Sequence, residues 1–267
     1  LVAHPRKVLW IMHQYRAAYN LWDTPFDDLS TYPDGAQVRE WIRQADNRLI
    51  PEAKRVFANS KTVADRLRRY NGIESQPLYH PPPRAESLRG GEQGDYIFYP
   101  SRMEPQKRQE LLIEAAQYLR TPVKIILAGG SGDPKRYESL VKKLGVGDRV
   151  CLRGFVAESE VIELYRNALG VCYLPFDEDY GYVTLEGMLS GKPVVVASDG
   201  GGATEFIEHE REGLIVSPDP KAIAEGLDSL YADWARAQAM GARGQEKLKA
   251  MNLSWQHVVE SLINGAG

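Results

Sequence analysis

The stretch Gly170–Val196, GVCYLPFDEDYGYVTLEGMLSGKPVVV, constrains the fold more than any other part of the chain. It opens on residues of buried-strand character, Val171 to Leu174, which stop at Pro175. A carboxylate-rich loop, Asp177-Glu178-Asp179-Tyr180-Gly181, leads into a helical pattern that begins near Val183 and ends at Gly191. Pro193 then opens a second apolar run, Val194 to Ala197. Strand, loop, helix and strand in this order build an α/β sheet, and such sheets bind ligands in the crevice at the carboxyl ends of their strands. The alternation extends over the chain from Tyr96. Strands are expected at 96–99, 123–128, 149–152, 170–174, 193–197 and 213–216, with helices near 108–119, 134–144, 158–168, 183–190, 203–208 and 220–231. Helices at 234–248 and 254–263 follow. Alternation of this length argues for βαβ units and a parallel sheet.

The loop carries the chemistry. Gly181 has no Cβ to keep a ligand from the backbone. The first helical N–H groups beyond it, at Tyr182 and Val183, lack intrahelical partners and favour a phosphate. Glu186, in the first turn, would lie beside that phosphate with two oxygens able to accept from adjacent sugar hydroxyls. Glu178 precedes the turn and can face the far side of the ligand. This pairing suits a diphosphate flanked by two polyols, and a nucleotide sugar is such a molecule.

The run from Glu178 to Glu186, with Ser190-Gly-Lys-Pro-Val-Val after it, resembles the signature of the family 4 retaining glycosyltransferases of the GT-B fold. The resemblance implies two Rossmann-like α/β domains. Residues 84–267 would form a complete C-terminal domain that binds the nucleotide sugar, its last helix packing back on the first domain. Residues 1–83 would form a partial N-terminal domain on the acceptor side. The segment Val56-Phe-Ala-Asn-Ser-Lys-Thr-Val-Ala-Asp-Arg-Leu looks like the end of the family's first domain, and a strand at 76–79 runs into His80-Pro-Pro-Pro83, the expected linker, with His80 a part of it. The chain begins at Leu1 and enters a strand at 7–12 almost at once, so the start of the first domain is expected to lie elsewhere. His13 closes that strand and matches the family's histidine facing the donor sugar. Arg16, just after it, is a further candidate for an anionic ligand.

A second constellation follows strand 96–99. Arg102 and Lys107 lie in its loop, where a planar fork and a point charge suit a diphosphate. The run resembles the family's Gly-Arg-Leu-x-x-x-Lys-Gly motif, departing from it at Ser101 and Arg108, where glycine is usual. Ala128-Gly-Gly-Ser-Gly-Asp133 resembles the glycine loop near the donor site. Phe155 and Val156 follow the third strand, where the family packs the base.

Breaking a sugar–phosphate bond sends charge onto the diphosphate, which Arg102, Lys107 and a helix N-terminus would stabilise without a metal. Glu178 would hold sugar hydroxyls or stabilise an oxocarbenium-like centre. No residue presents itself as a covalent nucleophile. The expected reaction is transfer of a hexose from a nucleotide diphosphate sugar, with retention of configuration implied by the resemblance. No cofactor is expected beyond that co-substrate. Two rival readings stay open. Asp177 and Asp179 form an Asp-x-Asp pair able to hold Mn²⁺ or Mg²⁺ in a metal-dependent transferase. Alternatively, the short first part leaves a nucleotide-sugar-binding subunit or fragment without turnover of its own.

Charge limits the partners. The net charge of −3 and a pI near 6.0 argue against nucleic acid, which needs a basic footprint. Residues 1–90 carry 14 Lys/Arg against 10 Asp/Glu, a mildly basic part that suits an anionic acceptor or a peripheral membrane contact. The acceptor would be a carbohydrate, a lipid-linked or a small molecule, and a partner chain completing the first domain is a further candidate. Cys151 and Cys172 fall in apolar strands and read as small core residues, which suits a reducing compartment. With no long apolar run and no signal-peptide pattern, a cytoplasmic location is expected, peripheral at the membrane if the basic part contacts lipid.

Overall fold

The structure, a computed structural model, describes residues 4–130 and 132–265; Leu1 and Ser131, both named in the sequence reading, lie outside them. In chain order the elements are β1 (Val8–Ile11), α1 (Gly35–Leu49), β2 (Arg55–Ala58), α2 (Lys61–Asn71), β3 (Gln76–Pro77), β4 (Tyr96–Pro100) and α3 (Gln109–Ala115). There follow β5 (Lys124–Ala128), α4 (Pro134–Leu144), β6 (Val150–Gly154), α5 (Glu158–Asn167), β7 (Gly170–Tyr173) and α6 (Tyr182–Leu189). The remainder are β8 (Val194–Ala197), β9 (Gly213–Val216), α7 (Pro220–Ala232), α8 (Trp234–Met251) and α9 (Trp255–Asn264). They fall into two compact units, one holding the chain to Pro81 and again from Leu253, the other Pro82–Asn252.

The first unit is built on a parallel sheet in the order β1-β2-β3. Helix α2 starts where Ser60 Oγ accepts from the Val63 N–H, and it stops at Gly72, whose φ of 64° is left-handed. Its Val63, Ala64 and Leu67 pack on Val56 and Ala58 of β2. The opposite face of β2 buries Phe57 against Leu78 and Val258 of α9. Strand β3 is shorter than the expected 76–79, because Pro77 has no N–H to give the ladder and a proline run follows. His80 is not a mere linker residue. It is 2% exposed, with Trp10 5.1 Å away edge-on and Trp255 5.3 Å away, and burial pushes its pKa down to about 4. Nothing in the local sequence announces these contacts, which come from β1 and α9.

The second unit is a six-stranded parallel sheet in the order β6-β5-β4-β7-β8-β9. Numbered within the unit this is 3-2-1-4-5-6, the doubly wound arrangement whose strand order reverses between β4 and β7. The central strands β7 and β8 are buried at every position, as a parallel sheet covered on both faces requires. Phe98 of β4 meets Tyr165 of α5 edge-on at 5.0 Å, and Leu112 and Ile113 of α3 are wholly buried.

Two expectations fail in this unit. Cys151 is exposed, since β6 is an edge strand whose outer phase faces solvent; Cys172, on central β7, is buried. Residues 203–208 form turns instead of a helix. Their hydrogen bonds run from i to i+3 out of Gly200-Gly201, and Thr184 Oγ1 donates to the Ala203 carbonyl that an α-helix would have used.

Candidate active site

Doubly wound sheets bind ligands at the carboxyl ends of the strands where the order reverses, here the edge between β4 and β7. Tyr99 of β4 pins it: its buried hydroxyl donates to the Lys107 carbonyl and accepts from the Leu174 N–H at 3.2 Å. This carries Lys107, in the turn after β4, to the loop after β7. The Lys107 ammonium pairs there with the Glu178 carboxylate and lies 3.2 Å from Tyr173 Oη. Tyr173 in turn donates to Glu178 Oε2 at 2.7 Å. The Lys107 and Glu178 side chains are 12% and 15% exposed, so water screens the pair little. Burial pushes the Glu178 pKa up, but the Lys107 charge and the bonds from Lys107 and Tyr173 outweigh it and hold the carboxyl below its usual range. Burial and the neighbouring carboxylate push the Tyr173 phenol well above its ordinary value.

The backbone around Glu178 is fixed by strand-like pairing. Asp177 N–H donates to Asp199 O (2.9 Å), Glu178 N–H to Gly200 O (3.0 Å) and Gly202 N–H to Glu178 O (2.7 Å). Gly181, at φ 77°, turns this segment into α6, and a Cβ there would stand 2.7 Å from Ala203 Cα. No side chain caps α6. One turn in, Glu186 is buried rather than on the helix surface. Its Oε1 accepts from Arg84 Nη1 at 2.8 Å and its Oε2 from the Tyr165 hydroxyl at 2.6 Å. Arg84 Nε also lies 3.2 Å from Glu158 Oε1 at the start of α5, so one guanidinium joins two carboxylates.

The structure brings Lys107 to Glu178 and sets Gly181, Tyr182, Val183 and Glu186 on the adjoining turn and helix. It does not bring Arg102 to the pair: that side chain is 67% exposed and joins Glu104 at 3.0 Å. Phe155, 83% exposed at the end of β6, lies over Gly130, where a Cβ would meet its ring at 2.7 Å; Val156 is half-buried. His13 is exposed in the first unit, its Nδ1 2.9 Å from the Gln14 carbonyl; Arg16 opens a 3₁₀ turn there. Asp177 and Asp179 flank Glu178, and no group of three or more His, Cys, Asp or Glu that could hold a metal occurs among the described residues. Sequence reasoning missed Arg84, Tyr165, Tyr99 and Tyr173. The two strand tyrosines carried a usable signal, because a phenol inside a buried strand needs a partner for its hydroxyl. Arg84 carried none.

Doubly wound order, an uncapped helix after a glycine turn and fixed charges at the switch point define a doubly wound α/β protein with a polar site at its sheet edge, and comparison places the fold among the GT-B glycosyltransferases. The crystal structure of Anabaena Alr3699/HepE in complex with UDP and glucose matches with a TM-score of 0.74 at 23% identity, over 85% of this chain and 67% of that one. Sucrose-phosphate synthase from Thermosynechococcus elongatus matches with a TM-score of 0.74 at 23% identity, over 88% and 62%. The family model of the glycosyl transferases group 1 matches residues 85–247, more than half of the chain, and the chain belongs to that family. It is 36% identical over 172 residues to the uncharacterized glycosyltransferase MJ1607 of Methanocaldococcus jannaschii, covering 63% of this chain and 43% of that protein. It is 30% identical over 254 residues to a D-inositol 3-phosphate glycosyltransferase of Salinispora tropica, covering 83% and 52%. The chain thus spans about half the length of the curated relatives it matches. No helix among the described residues is long and apolar enough to cross a membrane.

Proposed function

We propose that the edge between β4 and β7 binds a nucleotide diphosphate sugar and that the protein transfers its hexose to a hydroxyl acceptor, as a family 4 enzyme acting with retention and without a metal. The observation that carries this is the Lys107–Glu178 pair at the switch point, in the loop that leads through Gly181 into α6, which holds a buried Glu186. The diphosphate takes Lys107 and the N–H groups of Gly181, Tyr182 and Val183, with Arg102 the second cation available on the same loop. As the glycosidic bond breaks, these groups meet the charge developing on the leaving diphosphate, each worth a few kcal/mol in a preorganised site. Glu178, held ionised, faces the sugar. Glu186 accepts the ribose hydroxyls, its orientation set by Arg84 and Tyr165, and the base stacks on Phe155 beside Val156. The family resemblance assigns His13 to the donor sugar. A UDP-linked donor is favoured because the HepE structure holds UDP and glucose.

A panel of UDP-, GDP- and ADP-sugars in thermal denaturation tests the reading. At a hundredfold excess over Kd the true donor adds about 2.7 kcal/mol of stability. No stabilisation by any of them would refute it. A nucleotide-sugar-binding subunit without turnover of its own stands as the second reading. Release of free sugar from the stabilising donor, followed by proton NMR of the anomeric signal, separates turnover from binding and reports the configuration. Loss of turnover with a chelator would favour the Asp177/Asp179 metal reading.

A further inference from the structure

Arg108 stands where the family motif carries glycine, and the backbone shows why glycine is usual there. Its φ of 52° and ψ of 41° are left-handed, a conformation that a side chain resists. The residue keeps this backbone while its side chain ties three loops together. Nε donates to the Leu174 carbonyl at 2.7 Å and Nη2 to the Pro175 carbonyl at 2.9 Å, both just after β7. The same guanidinium is forked on Asp199, after β8, with Nη1 2.8 Å from Oδ2 and Nη2 2.6 Å from Oδ1. It also lies 5.7 Å from the centre of the Phe176 ring. Alongside, Phe176 N–H donates to the Gln106 carbonyl at 2.9 Å and Gln106 Nε2 to the Phe176 carbonyl at 3.1 Å. Asp199, for its part, accepts on its carbonyl from the N–H of Asp177, the residue before Glu178. The clasp therefore holds the neighbour of Lys107 and the neighbour of Glu178 from one point.

We infer that Arg108 is a positioning residue of this site: forked on Asp199 and on two carbonyls after β7, it sets the placement of Lys107 against Glu178. The inference rests on the reading of this edge as the donor site. Arg108 touches neither donor nor reacting atoms and acts through Lys107. A bidentate pair is directional, so even with Asp199 partly exposed it fixes the relative position of two loops where a lone ammonium would not. Glu178 feels Lys107 from the loop after β4 and Tyr173 from β7, so loosening the loop acts on its carboxyl through Lys107. Nothing in the clasp needs a bound ligand.

Arg108→Gly tests it, because glycine adopts the left-handed backbone without strain and removes only the side chain. Asp199→Asn is the second variant, keeping shape and losing the charge. Two readouts are taken on folded protein: titration of the Glu178 carboxyl by carbon NMR in glutamate-labelled protein, and donor turnover with kcat and donor KM separated. The expected result for Arg108→Gly is a Glu178 titration moved upward and a kcat lower by about 10- to 100-fold, the scale of a small misplacement. Donor KM should change much less, and Asp199→Asn should move both readouts the same way. A folded Arg108→Gly protein whose Glu178 titrates as in the wild type overturns the inference. So does failure of both variants to fold, which would make the clasp a plain structural tie. If the wild type turns over no nucleotide sugar yet the titration still moves, the donor-site reading fails and the positioning of the ion pair stands.

Discussion

Replacing Lys107 by methionine isolates the central ion pair. The thioether fills most of the stem's volume and leaves Glu178, 15% exposed, with the Tyr173 hydroxyl and the Asp179 N–H among the described residues to support its charge. Removing one partner of a buried pair costs about 3–5 kcal/mol, because the remaining charge keeps its desolvation penalty. The cost depends on pH with a definite sign. In the wild type the Glu178 pKa lies below its ordinary value of 4.5, so the pair's stabilisation is fully present above that value and is lost as pH falls through the lowered one. In the variant, burial acts without Lys107 to offset it and the pKa rises. The folded variant then takes up a proton as pH falls toward 4.5, and its handicap shrinks. Urea unfolding at pH 7.5 and pH 4.5 reads this directly. With a slope of about 2–3 kcal/mol/M the wild-type midpoint should lead by about 1 M or more at the higher pH, and by clearly less at the lower one. A lead that is equal at both pH values, or absent at pH 7.5, would refute the reasoning.

Three further outcomes follow from the same structure. His80 is held neutral with a pKa near 4, so the unfolded chain binds its proton first and stability drains as pH falls from about 6.5 toward 4, by up to about 3 kcal/mol; in His80→Phe that part of the pH dependence of the urea midpoint should vanish. Gly181→Ala forces a Cβ to 2.7 Å from Ala203 Cα at φ 77°, and it should cost about 1–3 kcal/mol in the unfolding midpoint as well as weaken donor binding. Phe155→Ala should leave stability unchanged, the ring being 83% exposed, while calorimetry with UDP shows affinity lower by about 1 kcal/mol, the value of a ring stack.

How far the sequence could be read follows from where each partner lies. The meeting of Lys107 with Glu178 was legible because a parallel sheet sends the loop after every strand to the same edge, so residues far apart in the chain converge without any knowledge of packing. Arg84 was not, because its partner Glu186 lies 102 positions away and nothing local distinguishes it from the basic residues around it. Arg102 shows the limit of motif reading: it lies on the right loop, but loop membership does not decide between a turn toward Glu178 and a turn toward Glu104. Cys151 and Cys172 sit in similar apolar runs, yet one strand is at the sheet edge and the other at its centre. Strand order, which composition does not encode, separates them. At 203–208 the composition was helical enough, but the glycines before it admit a chain of turns, and the Ala203 carbonyl is taken by Thr184.

A crystal structure of the chain with UDP tests the central claim most directly. The account places the diphosphate against Lys107 and the first N–H groups of α6, and the ribose hydroxyls on the Glu186 carboxylate. Density for UDP at any other edge of the sheet, with the Lys107–Glu178 pair untouched, would contradict it.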